Sequence, residues 1–244
     1  KPLATGGSLG RNEATGRGLL FTLETWCEKN HKKMDGLTMA VQGFGNVGSV
    51  GALLIHRQGV KVVCVGDING TWYNPNGLDI EAMYVYANSH GRSLKGYTEA
   101  GATIIPDMDL FSQDVDVLFM AAMENQLNEK TMELVKAKLV LEGANGPTTE
   151  EADICFEKKG IEVLPDVMSN VGGVVGSYFE WVQNLTGYYW TEDEYNERLK
   201  IKMRQGYEDV LALKEKYKVT YRLAAYMLAL QRVVEAQNTR GFLG

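Results

Sequence analysis

Short apolar runs alternate with helical stretches from Leu37 to Asp166, and this alternation restricts the fold more than any other feature of the chain. The runs are LTMAVQ (37–42), VKVVCVGD (60–67), DVDVLFMAA (114–122), AKLVLEGAN (137–145) and IEVLPD (161–166). They read as apolar throughout, as expected of strands covered on both faces. Helical spacing falls between them, in VGSVGALLIHRQG (47–59), DIEAMYVYANSHG (79–91), NEKTMELVKA (128–137) and TTEEADICFEKKG (148–160). In the last of these, Thr149 suits an N-cap and Gly160 a stop. INGTWYNPNG (68–77) is turn-rich and reads as a loop. Strands separated by helices predict an α/β fold, a Rossmann-like doubly wound and mostly parallel sheet with helices on both faces.

The flanks are helical. Ala14 to Asn30 places Leu19, Leu20, Leu23, Trp26 and Cys27 at helical spacing. After Asp166 the strands stop. NVGGVVGSYFEWVQN (170–184) and YRLAAYMLALQRVVEAQ (221–237) read as helices. Between them Tyr195, Leu199, Met203, Tyr207 and Leu211 mark one face of a long helix. A single domain over 1–244 is expected, with a Rossmann core at about 37–166 and a C-terminal helical extension at about 170–237. The opening KPLATGGSLG has no Met and no capping signal, which reads as a cut inside a longer protein or as processing.

Charge and cysteine usage narrow the function classes. Lys and Arg number 25 against 31 Asp and Glu, a net charge of −6, and no basic stripe for a nucleic-acid backbone stands out. No apolar run has the length of a membrane helix, and no signal peptide is visible. Cys27, Cys64 and Cys155 are far apart and form no CxxC, which suits a reducing, cytoplasmic setting. His31, His56 and His90 are isolated, so no metal site is expected.

VQGFGNVG (41–48) carries the chemistry that the fold suggests. Gly43, Gly45 and Gly48 have G-x-G-x-x-G spacing, which alone also marks turns that need glycine only for packing. Here the triplet follows a predicted strand and opens a predicted helix, the context in which it cradles a dinucleotide. Gly43 would permit the tight turn, Gly45 the approach of a pyrophosphate, and Gly48 close packing of helix on strand. Val47 begins the helix and Asn46 precedes it, where free N–H groups would face the phosphates. Asp67 lies 19 residues after Gly48, at the end of the next strand, where an acid accepts the adenine-ribose hydroxyls. Its charge would repel a 2′-phosphate, so NAD is favoured over NADP. Ile68 follows it, and no basic residue is adjacent.

Two more loops end strands on the same side. Ala121, Ala122 and Asn125 fall in MAAMENQ (120–126), and Asn145 falls in EGANGPTTEEAD (142–153). Each either faces the ligand crevice or only turns the chain. Gly172, Gly173 and Gly176 weaken a helix, so a cofactor ring, a substrate or a neighbouring helix should approach closely there. Ser177, one turn on, has a hydroxyl that suits a carboxylate.

KPLATGGSLGRNEATGRG (1–18), VQGFGNVG, LEGANGPTTEEAD and NVGGVVGSYFEWVQN together resemble the amino-acid dehydrogenases of the glutamate/leucine/phenylalanine/valine type. The resemblance covers essentially the whole chain, but only as the C-terminal, coenzyme-binding half of those enzymes. It implies NAD-linked oxidative deamination, with Thr15 holding the nicotinamide carboxamide and Arg11 close by. It implies Asn125 and Asn145 at the nicotinamide-side ribose, and Val174 and Ser177 lining the pocket for the substrate side chain. With Ala121, Ala122 and Ile68 these residues complete the expected contact set. Ser177 and SYFEW favour the glutamate branch, with L-glutamate and 2-oxoglutarate as substrates.

The catalytic lysine and aspartate of the resembled family belong to an N-terminal lobe whose glycine- and proline-rich motifs do not occur in this sequence. No catalytic residue is therefore expected here, and Lys1 is no substitute. The chain alone is expected to bind NAD(H) without turnover, and a full-length homohexamer is implied. The insertion that carries nucleotide regulation in animal enzymes is also missing, so a bacterial type is implied. Two other readings stay open: a non-catalytic NAD-binding module, and the coenzyme lobe of a leucine-, valine- or phenylalanine-type enzyme.

Overall fold

A computed structural model describes residues 1–241. Seven strands form one sheet: β1 (Thr38–Gln42), β2 (Lys61–Asp67), β3 (Gly70–Tyr73), β4 (Thr103–Ile105), β5 (Val117–Met120), β6 (Leu139–Glu142) and β7 (Glu162–Leu164). Their order is β4-β3-β2-β1-β5-β6-β7. β2, β1, β5, β6 and β7 run parallel, and β3 and β4 are antiparallel additions at one edge. The fold is the expected α/β Rossmann-like arrangement.

The parallel strands are apolar on both sides because both sides are covered. Met39, Val41, Val117, Phe119, Leu139 and Leu141 enter one core. Their alternates Ala40, Leu118, Met120 and Val140 enter the other. Successive side chains of a strand point to opposite faces, so two cores require apolar residues at every position.

The first core is roofed by α1 (Ala14–Lys29), α2 (Asn46–His56), α3 (Ile80–Ser89), α6 (Gly172–Thr186) and α7 (Glu192–Tyr217). A Thr191–Glu194 capping box starts α7, which buries Tyr195, Leu199, Met203, Tyr207 and Val210. Leu211, expected on that face, is only partly buried against the core. The second core lies under α4 (Glu150–Lys159), where Thr149 caps the start and Gly160 ends the helix at φ +71°. The short α5 (Asp166–Ser169) and the last helix α8 (Tyr221–Arg240) complete the order.

Two local expectations are corrected. Residues 129–134 are a chain of turns, not part of a helix. Asn128 N–H donates to Thr131 Oγ1 at 2.9 Å, Lys130 N–H to Asn128 Oδ1 at 2.9 Å, and Thr131 Oγ1 to the Gln126 carbonyl at 2.7 Å. Side chains thus satisfy backbone groups that a helix would have paired. The second correction lies in 68–77, where β3 pairs with β2 in a hairpin that opposes Asp67 and Gly70. Buried Thr71 and Trp72 hold it to the sheet, a contact that turn composition conceals.

Candidate functional site

Strand order reverses at β1, whose neighbours are β2 on one side and β5 on the other. Crevices at the carboxyl ends of such strands hold ligands, because the chain leaves in opposite directions there. The loops that follow β1, β5 and β6 meet at this place. Backbone bonds extend the ladder into them, from Ala121 N–H to the Gln42 carbonyl (2.7 Å) and from Gly143 N–H to the Met120 carbonyl (2.7 Å).

The three loop glycines have three separate reasons. Gly43 has φ +93°, and a Cβ there would sit 2.6 Å from Ala122 N. A Cβ on Gly48 would overlap the Gly43 carbonyl oxygen and lie 2.9 Å from Gly43 C and 3.2 Å from Ala121 Cβ. Gly45 faces open space, with nothing within 4 Å of a Cβ built on it. Packing therefore accounts for Gly43 and Gly48 and leaves Gly45 unexplained by protein contacts. The first helical bond of α2 runs from Ser49 N–H to the Gly45 carbonyl at 2.9 Å. N–H groups of the first turn, at Asn46 and Val47, are left for an anion.

At the end of β2 the Asp67 carboxylate is held by one oxygen. Oδ2 accepts from Leu94 N–H at 2.7 Å and from Asn69 Nδ2 at 3.2 Å, which leaves Oδ1 for a ligand hydroxyl. Ile68 beside it is 97% exposed at the hairpin tip, an apolar surface on which a planar base can lie.

A cavity of about 670 Å³ opens beside the glycine loop and runs to α1 and α6. Of the expected contact residues, Arg11, Thr15, Val47, Ala121, Ala122, Asn145, Val174 and Ser177 line it. Gly43, Gly45, Asn46, Gly48, Asp67 and Ile68 lie outside it, on the loop and strand ends just described. Asn125 does not line it either. That residue is exposed at φ +56°, and its N–H donates to the Gly146 carbonyl at 2.9 Å.

The far end of the cavity is polar. Ser177 Oγ accepts from Arg11 Nη2 at 2.8 Å and Nε at 3.1 Å, and donates to the Gly173 carbonyl at 3.1 Å. Arg11 is the cation among the lining residues, and Glu124 is the carboxylate. The glycines of α6 are explained by helix packing. A Cβ on Gly172 would come 2.9 Å from Gly18 Cα of α1, on Gly173 2.5 Å from Thr15 Oγ1, and on Gly176 2.8 Å from Ala14 Cβ. This close approach of α6 to α1 is what brings Arg11 and Thr15 to the same wall as Val174 and Ser177.

Gly173, where a close approach was expected, lines the cavity too, and several lining residues were not singled out from the sequence: Met123, Glu124, Gly143, Ala144 and Asn170. Asn170 matters most, since its Nδ2 donates to Asn145 Oδ1 (2.7 Å) and to the Gly143 carbonyl (3.2 Å). A polar residue just before the glycine-rich helix start is the one signal that could have pointed to it. Behind this loop, Glu142 is fully buried and pairs with Arg222 of α8 at 2.6 Å. Burial pushes the Glu142 carboxyl up, and the Arg222 guanidinium opposes that shift.

Residues 6–241 match the Glutamate/Leucine/Phenylalanine/Valine dehydrogenase family. The chain is 44% identical over 247 aligned positions to an NAD-specific glutamate dehydrogenase of Clostridioides difficile, covering 99% of this chain and 58% of that protein. It is 45% identical over 242 positions to a glutamate dehydrogenase of Thermotoga maritima, with the same two coverages of 99% and 58%. Its structure superposes on the hetero-hexameric glutamate dehydrogenase from Thermus thermophilus, Leu-bound form, with TM-score 0.91 and 34% identity, covering 100% of this chain and 57% of that one. The chain thus spans a little more than half the length of these relatives.

Proposed function

The chain belongs to the Glutamate/Leucine/Phenylalanine/Valine dehydrogenase family, and from that premise we propose that it is the coenzyme-binding lobe of an NAD-dependent glutamate dehydrogenase. The observation that carries this reading is Gly45, a loop glycine with open space above it and no packing reason of its own, set at the N-terminus of α2. A pyrophosphate fits that space, with Gly43 and Gly48 shaping the turn and the first N–H groups of α2 facing it. Asp67 Oδ1 and exposed Ile68 suit the adenosine half. The nicotinamide half would follow the cavity past Val47, Ala121 and Ala122 towards Thr15 and Asn145, with Asn125 near its mouth. NAD would supply the hydride acceptor.

The polar end of the cavity supports glutamate over an aliphatic or aromatic substrate. An apolar side chain there would desolvate the Arg11 guanidinium and its partner Ser177 without balancing the positive charge. A γ-carboxylate would accept hydrogen bonds from both, with Val174 packing against the methylenes. The cavity lining holds no lysine. Oxidative deamination needs a group to activate water and to move a proton at the substrate nitrogen. We assign that role to an N-terminal lobe, in keeping with the greater length of the relatives. A cytoplasmic homohexamer of the whole enzyme belongs to the same proposal. Among the described residues no helix is long and apolar enough to cross a membrane.

Titration of NADH fluorescence and a turnover assay with glutamate and NAD test the reading on the purified chain. Saturable NADH binding without turnover is expected. Robust turnover would show that the acid–base groups lie in this chain, and absence of NADH binding would overturn the coenzyme assignment.

A further inference from the structure

We propose that Arg222, in the first turn of α8, is a positioning residue that fixes the nicotinamide side of the crevice through a clamp of three carboxylates. This inference rests on the coenzyme reading above.

Arg222 sits outside the cavity, yet its guanidinium gathers acids from three separate segments. Nη2 donates to Glu142 Oε1 at 2.6 Å, at the end of β6. Nε donates to Asp153 Oδ2 of α4, and Nη2 also reaches Asp153 Oδ1 at 3.3 Å. Nη1 lies 3.6 Å from Asp166 Oδ1, at the start of α5. Glu142 is fully buried, and the side chain of Arg222 is 19% exposed. One cation thus serves three carboxylates in a mostly desolvated place. Such a cluster is costly to build, and stability alone is a weak reason to keep it.

The acids, in turn, hold the loop that lines the cavity. Glu142 Oε2 accepts from Asp166 N–H at 2.8 Å. Asp166 Oδ2 accepts from Gly146 N–H at 2.8 Å. The Gly146 carbonyl accepts from Asn125 N–H at 2.9 Å, so the neighbouring loop after β5 is tied as well. On its other side the loop is held by Asn170, which donates to Asn145 Oδ1 and whose own N–H donates to the Asp166 carbonyl at 3.0 Å. Gly143 and Ala144 are anchored to β5, where the Met120 carbonyl accepts from their N–H groups at 2.7 and 2.9 Å, and beyond them Asn145 is held by two supports, through Gly146 and through Asn170, that both lead back to Asp166. Removing the guanidinium would leave a buried carboxylate facing two others. Relief would come by separating β6 from α5, which slackens Gly146 and Asn145. Nothing in this chain of bonds touches the glycine loop at 43–48 or Asp67.

The geometry therefore predicts damage to one half of the coenzyme site only. NADH spans both halves, whereas ADP occupies only the adenosine and pyrophosphate half. In Arg222→Met, NADH should bind roughly tenfold more weakly, the scale of coupling between groups in one network. ADP affinity should stay within about twofold of wild type. Arg222→Lys keeps the charge but replaces the planar fork by one ammonium, so the same ordering is expected with a smaller loss. It also serves if the methionine variant does not fold.

Fluorescence titration with NADH and calorimetry with ADP, on wild type and both variants, read the ratio. NADH weakened with ADP preserved supports the clamp. Equal weakening of both ligands means that Arg222 only stabilises the fold, and overturns it. No change in either ligand also overturns it. A wild-type chain that binds neither NADH nor ADP would instead sink the coenzyme reading, and the clamp with it.

Discussion

Alanine at Gly45 and at Gly48 should differ in their effect on stability, because one glycine faces empty space and the other faces backbone. At Gly45 the backbone is extended (φ −73°, ψ −159°), a conformation open to alanine. Nothing lies within 4 Å of the added methyl. As an N-cap, alanine is poorer than glycine by up to about 1 kcal/mol. A less flexible unfolded chain returns about 0.4–1 kcal/mol. The two nearly cancel, so the melting temperature should move by no more than about 2–4 °C. The methyl would nevertheless stand where the pyrophosphate should lie. Loss of one hydrogen bond to a charged oxygen, about 1.5–3 kcal/mol, predicts about a 10- to 100-fold weaker Kd for NADH. At Gly48 the methyl would overlap the Gly43 carbonyl oxygen and meet Gly43 C at 2.9 Å and Ala121 Cβ at 3.2 Å. Backbone cannot rotate aside as a long side chain can, so at least about 1–3 kcal/mol of stability should be lost, together with NADH affinity as the loop shifts. Thermal melts followed by circular dichroism, paired with NADH titrations, measure both quantities. Wild-type NADH affinity in Gly45→Ala would refute the pyrophosphate placement. An unchanged melt in Gly48→Ala would refute the packing argument.

The wild-type chain should bind NADH at least about tenfold more tightly than NADPH, since like charges a few ångströms apart repel even when partly screened. Asp67→Ser should narrow that gap, and equal affinities in the wild type would undo the argument. Tyr207 and Tyr221 share a buried hydroxyl contact of 2.7 Å, whereas the buried Tyr195 hydroxyl has no partner. Tyr207→Phe should therefore lose about 1–3 kcal/mol by stranding Tyr221, while Tyr195→Phe should leave the urea midpoint unchanged or raise it. Burial pushes the Cys27 and Cys64 thiols up from an ordinary 9.0 to about 11 and about 12. Both should resist a thiol reagent at pH 8 until the chain unfolds, while half-exposed Cys155 reacts at once. Because those two folded values are raised, their contribution to stability is complete below pH 9. It should be lost as pH climbs through about 11 and 12, which urea titrations across that range would show.

The parallel part of the sheet was legible because a strand buried on both faces must be apolar at every position, and LTMAVQ, DVDVLFMAA and AKLVLEGAN are nearly so. Helix α4 was legible for a local reason too, since Thr149 and Gly160 act within one turn of themselves. The places of Gly45 at the start of α2 and of Asp67 at the end of β2 were legible because their spacing follows from one strand–turn–helix unit and the strand after it. The turns at 129–134 were not, because Asn128 and Thr131 take backbone partners that a periodic pattern ignores. The β3 hairpin was missed because its gain lies in contacts with β2 across the sheet.

The sequence by itself determined the layers, the repeating strand–helix unit and the glycine turn that opens α2, all of which depend on residues close together in the chain. Tertiary structure alone decided what Gly172, Gly173 and Gly176 are for. They admit α1, which brings Arg11 onto Ser177 across 166 positions of sequence. Structure alone also joined Arg222 to Glu142, Asp153 and Asp166 behind the crevice loop. Contacts between distant segments are set by how whole elements pack, and no spacing rule along one chain encodes them.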